Sequence, residues 1–224
     1  MNDQMTDRRL AEKYVPSLRY DRAEPYRPEA VGYTVHRTGG GSPSCRLRLD
    51  LEPWETVVEY AFYYDFDIQH LYDLEHVFVK LNSEGRVIGV IGSFHGKFLN
   101  NLIEGETEFR GTHAVLYVQP GKHAFMPRPG YFRLFPDRDK CCREYAGRDG
   151  LLVAPMFEGR IVTDRDFDRK VERYIKENYA FVPTWEFSAE GPQRRAEDLL
   201  MPWRELDTLI VERITDWKRR IEEA

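Results

Sequence analysis

Residues 60–79 read YAFYYDFDIQHLYDLEHVFV and set Asp65, Asp67, His70, Asp73, Glu75 and His76 among aromatic and β-branched neighbours. An unpaired charge is costly to bury, so this concentration in strand-like sequence points to a shared task. Asp73 and Glu75 stand two apart, which puts both carboxylates on one face of an extended chain. His70 precedes them, where the chain must turn into that strand. Two converging carboxylates and an imidazole are the donor set of a divalent-metal site. The stretch argues for such a site much more strongly than for any reaction.

Five of the six histidines, His70, His76, His95, His113 and His123, fall between positions 70 and 123. His95 closes a strand in SFHGKF, and Gly96 after it can turn sharply. His123 follows PGK at the end of the next strand. On one rim of a sandwich, strand ends can bring His70, His95 and His123 together. His76 and His113 lie inside strands and read as structural. A single histidine is more commonly a satisfied core or surface imidazole, and a lone Asp-x-Glu pair a solvated hairpin face. The combination is what favours a site.

The elements that must hold these groups are mostly strands. Residues 31–36, 46–51, 59–64, 74–81, 87–95 and 112–119 alternate or are β-rich, and NSEG at 82–85 makes a hairpin of two of them. Residues 14–26 suit an edge strand and turn, 1–13 a short helix or frayed end, and 151–157 a further strand. TGGGSP at 38–43 reads as a flexible loop, 100–111 as a polar loop and 127–150 as a long surface excursion. Asp164 precedes a helical stretch, and 203–222 spaces its apolar residues as a docking helix. The expected fold is an antiparallel β-sandwich in a single domain over 1–224, with its core at about 14–160 and helical additions at about 164–224.

With 224 residues, 42% hydrophobic and 13% aromatic, the composition fits a globular, strand-rich chain. A net charge of -5 argues against a general nucleic-acid binder. No stretch approaches a transmembrane segment, and the first residues lack the apolar core of a secretory signal. Cys45, Cys141 and Cys142 make a poor disulfide framework, so a cytoplasmic setting is the default expectation. The Cys141–Cys142 pair, in DRDKCCREY, reads as exposed, and Arg194–Arg195 as solvated charge. Gly39–Gly41 lacks the lysine of a phosphate loop, and Ser93 lacks the glycines of a nucleophile elbow.

The stretch resembles the metal-site region of the necrosis- and ethylene-inducing peptide-like proteins, whose hallmark is GHRHDWE. Setting HLYDLE beside HRHDWE matches His70, Asp73 and Glu75 to the family's His, Asp and Glu. The family aspartate upstream falls on Asp67 after YAFYY, and its later histidines on His95 and His123. More broadly, over roughly residues 9–130, the chain is similar to the vacuolar protein sorting-associated protein 62 family. YVPSLRYDRAEPYRP and AVLYVQPGKHAFMP carry that likeness. Leu74, Gln69 and Lys122 depart from the pattern. The toxin-like proteins are secreted with a disulfide, so plant-membrane cytolysis does not carry over.

What the resemblance implies is a divalent cation on one sandwich rim. Asp67, Asp73 and Glu75 are the expected oxygen ligands, with His70, His95 and His123 as ligands or their supports; Asp65 and His76 are secondary. Oxygen donors favour Mg²⁺ or Ca²⁺, and full histidine participation favours Zn²⁺ or Mn²⁺. The expected function is recognition of a glycan or lipid headgroup at that rim. The alternatives are a metal-dependent hydrolase, with His70 or His123 moving protons, and a sorting or structural partner that the metal only stiffens.

Overall fold

In a computed structural model, residues 2–135, 137–189 and 195–224 are described; Arg194 lies outside them. In chain order the elements are α1 (Asn2–Tyr14), β1 (Ser17–Asp21), β2 (Ala30–His36), β3 (Gly40–Gly41), β4 (Arg48–Leu49), β5 (Thr56–Phe66), β6 (Leu71–Leu81) and β7 (Val87–Phe94). There follow β8 (Lys97–Asn100), β9 (Phe109–Arg110), β10 (His113–Val118), β11 (Phe125–Met126), α2 (Arg165–Tyr179), β12 (Phe187–Ala189), β13 (Leu200–Pro202) and α3 (Trp203–Glu223).

The larger sheet runs β13-β2-β5-β6-β7-β8 and the smaller β11-β10-β1-β12, with β9 beside β10. The two sheets meet face to face: Phe62 of β5 packs on Phe125 of β11, with ring centroids 5.4 Å apart, and Tyr64 shares a 3.0 Å hydroxyl hydrogen bond with Tyr20 of β1. The fold is the expected β-sandwich with helices, but its sheets are mixed. β1 runs parallel to β10 and β13 parallel to β2, because each pair is joined by a long connection rather than a hairpin. The segment after 164 also does more than add helices, since β12 and β13 each supply a strand to a sheet edge.

β5 shows why the centre of the larger sheet is apolar on both sides. Val58, Tyr60, Phe62 and Tyr64 point between the sheets, and Val57, Glu59, Ala61 and Tyr63 point outwards, yet nearly all are buried. The outward face is roofed by α3, whose Leu206 and Trp203 press on Gly32 of β2. A strand covered on both faces loses the polar alternation of a half-exposed one.

Several expected elements differ. Residues 46–51 alternate, but only β4 pairs, in a short ribbon with β3; the alternation reflects half-exposure. That ribbon also replaces part of the loop expected at 38–43. β1 is not an edge strand, as it lies between β10 and β12. Residues 151–157 form no strand: apart from a short 3-10 turn at Pro155–Phe157 they are irregular, with Leu151 and Phe157 buried in the core and Leu152 exposed. Cys141 and Cys142 are buried, at 6% and 0% exposure, because the charged loop turns its thiols inwards against Pro120 and Gly121.

Candidate functional site

Asp67 to His70 form the tight link between β5 and β6. The link closes through Asp67 N–H donating to the His70 carbonyl at 2.9 Å, and Asp67 Oδ1 accepts Gln69 N–H at 2.6 Å. Such side-chain turns are what Asp does well at a loop start. Two neighbouring segments clamp the link. Ile68 N–H reaches the Gly121 carbonyl at 2.7 Å, and Gly147 and Asp149 N–H reach the carbonyls of Ile68 and Gln69. The excursion at 127–150 therefore frames the site. Gly121 must be glycine here: its φ is 68°, and a Cβ would lie 2.7 Å from Ile68.

Asp67, His70 and Asp73 each offer a ligand atom within 4.8 Å of the other two. His70 Nδ1 lies 2.7 Å from the Tyr72 carbonyl, and Nε2 lies 3.8 Å from Asp67 Oδ2. A ring held through Nδ1 by a backbone carbonyl presents Nε2 as a ligand. The donor set of two carboxylates and one imidazole suits a divalent cation.

The other expected residues surround this trio at different depths. His123 is fully buried, its ring stacked at 3.9 Å on Tyr64, with Nδ1 2.9 Å from Asp73 Oδ2 and Nε2 3.6 Å from Glu24 Oε1. Burial alone would lower its pKa; the Asp73 and Glu24 carboxylates outweigh that and raise it to about 10. Glu75 accepts a hydrogen bond from Ser93, and burial, with Asp73 next in effect, pushes its carboxyl well above the usual range. His95 is exposed in a two-residue hairpin turn with Gly96, at φ 48°, and meets Gln119 Oε1 at 2.8 Å. Neither Glu75, His95 nor His123 joins the 4.8 Å cluster.

The two secondary candidates have other partners. Asp65 is gripped by the Arg213 guanidinium of α3, with Nε 2.7 Å from Oδ1. His76 points to the opposite side of the sheet from Asp73 and Glu75.

Two residues that the sequence reading did not weigh for the site matter most. Lys122 Nζ sits 2.7 Å from both Asp67 carboxylate oxygens, and each group favours the other's charge despite burial. Glu24 reaches in from the turn after β1 and accepts Gly121 N–H at 2.6 Å. Lys122 is visible in the sequence as a departure beside His123. Glu24 carries no local signal. Beside the trio opens a cleft of about 220 Å³ whose walls include Gln69, His95, Gln119, Lys122, Arg138 and Tyr145. Among the described residues, no helix is long and apolar enough to cross a membrane.

No protein-family model and no curated protein matches the chain. Among solved structures it is similar to Necrosis and Ethylene inducing Protein 2 from the causal agent of cocoa's Witches Broom disease. That likeness has 22% identity and a TM-score of 0.37, over 67% of this chain and 87% of that one. It is also similar to NLPPya in complex with glucosamine (18%, TM-score 0.38) and with mannosamine (15%, TM-score 0.37). Each of these likenesses covers 52% of this chain and 64% of the other, so the chain spans less than two thirds of their length. At those identities and scores they say nothing of what this chain binds.

Proposed function

We propose that the chain is a divalent-metal-binding β-sandwich protein that recognises a glycan or a lipid headgroup at this rim. The observation that carries the reading is the convergence of Asp67, His70 and Asp73 next to a cleft walled by amides, an imidazole, two guanidiniums and two aromatic rings. A hard cation held by two carboxylates keeps positions for hydroxyl or phosphate oxygens, which favours Mg²⁺ or Ca²⁺. Gln69, Gln119 and Arg138 can hydrogen-bond the same hydroxyls, and Tyr145 offers a flat apolar face. Glu75 and His123 then support the ligands, His95 faces the bound group, and the family kinship read from the motifs is part of the same proposal.

Binding fits better than hydrolysis in one respect. His123 has no exposed surface, and both its ring nitrogens face carboxylates, so it positions Asp73 rather than carrying protons to a substrate. His70 keeps partial exposure and remains the residue that a hydrolase reading would use.

Calorimetry with Mg²⁺, Ca²⁺, Mn²⁺ and Zn²⁺ on chelator-treated protein, and a glycan and headgroup array with and without chelator, test this reading. The expected results are cation binding that Asp67→Asn and Asp73→Asn each weaken at least about tenfold, and retention of a ligand only with the cation. Cation binding unchanged in both variants would sink the site. Ligand retention indifferent to chelator would sink its role.

A further inference from the structure

A second group of ligating side chains lies on the outward face of the same strand pair. Ala61 of β5 pairs with His76 of β6, so Glu59 and His76 project to one side, away from Asp73. The β3–β4 ribbon folds over them and lowers Ser42, Ser44 and Cys45 onto the pair. Cys45, Glu59 and His76 each place one donor atom within 4.8 Å of the other two.

Glu59, 1% exposed, is held firmly. Ser42 Oγ donates to Oε1 at 2.6 Å, Ser44 Oγ donates to the same oxygen, and His36 Nε2 lies 2.7 Å from Oε2. His76 is 5% exposed. Its Nε2 is buried with no hydrogen-bond partner. A buried polar atom left unpaired calls for an explanation, and a neutral imidazole nitrogen beside a carboxylate and a thiol can serve as a metal ligand.

We propose that Cys45, Glu59 and His76 bind one Zn²⁺-type transition-metal ion, with His36 orienting the Glu59 carboxylate. A thiolate, an imidazole and a carboxylate together suit a borderline-soft ion and give no advantage to Mg²⁺ or Ca²⁺. Ligands on a bound zinc stand roughly 3.5 Å apart. The three donors therefore draw together on binding, and Cys45 is the one placed to move, on a half-buried loop between two short strands. The Cys45 thiol gives up its proton to solvent as the metal–sulfur bond forms. The site is independent of the rim proposal, sharing none of its ligands.

Chelator-treated protein is titrated with Co²⁺, whose thiolate complexes show a near-ultraviolet charge-transfer band. The wild-type chain is expected to develop that band at one equivalent and to lose it to Zn²⁺. Cys45→Ser abolishes the band, His76→Gln weakens Co²⁺ binding, and His36→Ala lowers affinity by about tenfold to a hundredfold without removing the band. Asp73→Asn and Cys141→Ser leave it unchanged. In parallel, Zn²⁺ raises the thermal midpoint of the wild type and not of His76→Gln. A wild-type chain with no band overturns the proposal, as does a band that survives Cys45→Ser or disappears with Cys141→Ser. A thermal midpoint that Zn²⁺ raises equally in His76→Gln overturns it too.

Discussion

The inner and outer faces of the β5–β6 hairpin each gather carboxylate and histidine, and they neutralise the charge differently. On the inner rim, Asp67 lies against the Lys122 ammonium and Asp73 against the His123 imidazolium. The protein has brought its own cations, and an incoming ion must compete with them. On the outer face, Glu59 is satisfied by two serine hydroxyls and His36, and His76 Nε2 is left without a partner. One site is compensated before any metal arrives and the other is held open by hydroxyls. The donors differ in the same sense: carboxylates dominate the rim, and the outer cluster adds a thiol. Ligand hardness and pre-existing countercharge, more than the number of acidic residues, therefore separate the metals the two faces would take.

The largest effect is expected from removing a rim carboxylate that has a buried cation. Asp73→Ala removes the carboxylate 2.9 Å from the fully buried, charged His123 imidazole and leaves Glu24, at 3.6 Å, as its remaining ion-pair partner. Breaking one side of such a pair costs about 3–5 kcal/mol. Urea unfolding of metal-free protein should show a loss of that size. The corresponding change on the outer face, His76→Gln, removes an unpartnered atom and should cost much less. Equal losses would abolish the contrast between a compensated and an open site.

Lys122→Met sharpens the comparison next. Without the ammonium, Asp67 keeps Gln69 N–H and no longer has a buried lysine competing with the ion. Rim affinity for Mg²⁺ or Ca²⁺ should then rise by about tenfold, or roughly 1.4 kcal/mol, while the Co²⁺–thiolate band stays as in the wild type. Unchanged rim affinity would mean that Lys122 does not compete with the ion.

Much of the rim was legible because its trio is local. Asp67, His70 and Asp73 fall within one hairpin, and alternation along β6 correctly put Asp73 and Glu75 on one face. The β5, β6 and β7 strands were visible for the same reason, since hydrophobic run length and turn chemistry agree there. Glu24 was not legible, because it arrives from a turn more than 40 residues upstream and its role exists only once β1 lies beside β10. The outer cluster was hidden differently. Its parity could be read from the Ala61–His76 pairing, but that pairing needs the register of the hairpin, and Cys45 joins only through the ribbon's fold-over. Residues 151–157 and the Cys141–Cys142 loop misled because an apolar run need not pair and a charged loop can still bury its thiols.

The smallest effect is expected in the scaffold, outside both faces. Asp164 caps α2, its Oδ1 accepting Asp166 and Phe167 N–H at 2.9 and 2.8 Å. In the first turn of α2, Asp168 accepts Leu151 N–H at 3.1 Å, next to Gly150, which bridges to His70. The cap is thus linked to the rim. The Phe167 backbone hydrogen bond, ahead of burial's opposing effect, holds the Asp164 carboxyl below its usual range. A depressed carboxyl pKa stabilises the fold above the unfolded value, about 4, and that contribution is lost as pH falls through the lowered pKa. Asp164→Asn keeps a capping oxygen and removes the titration. Its thermal midpoint should match the wild type near neutrality and fall less steeply below about pH 4. Rim cation binding at neutral pH should stay the same, and so should the Co²⁺ band. A variant that titrates with the wild-type acid slope would show that the helix cap contributes nothing to that limb, and that the slope belongs to carboxylates elsewhere.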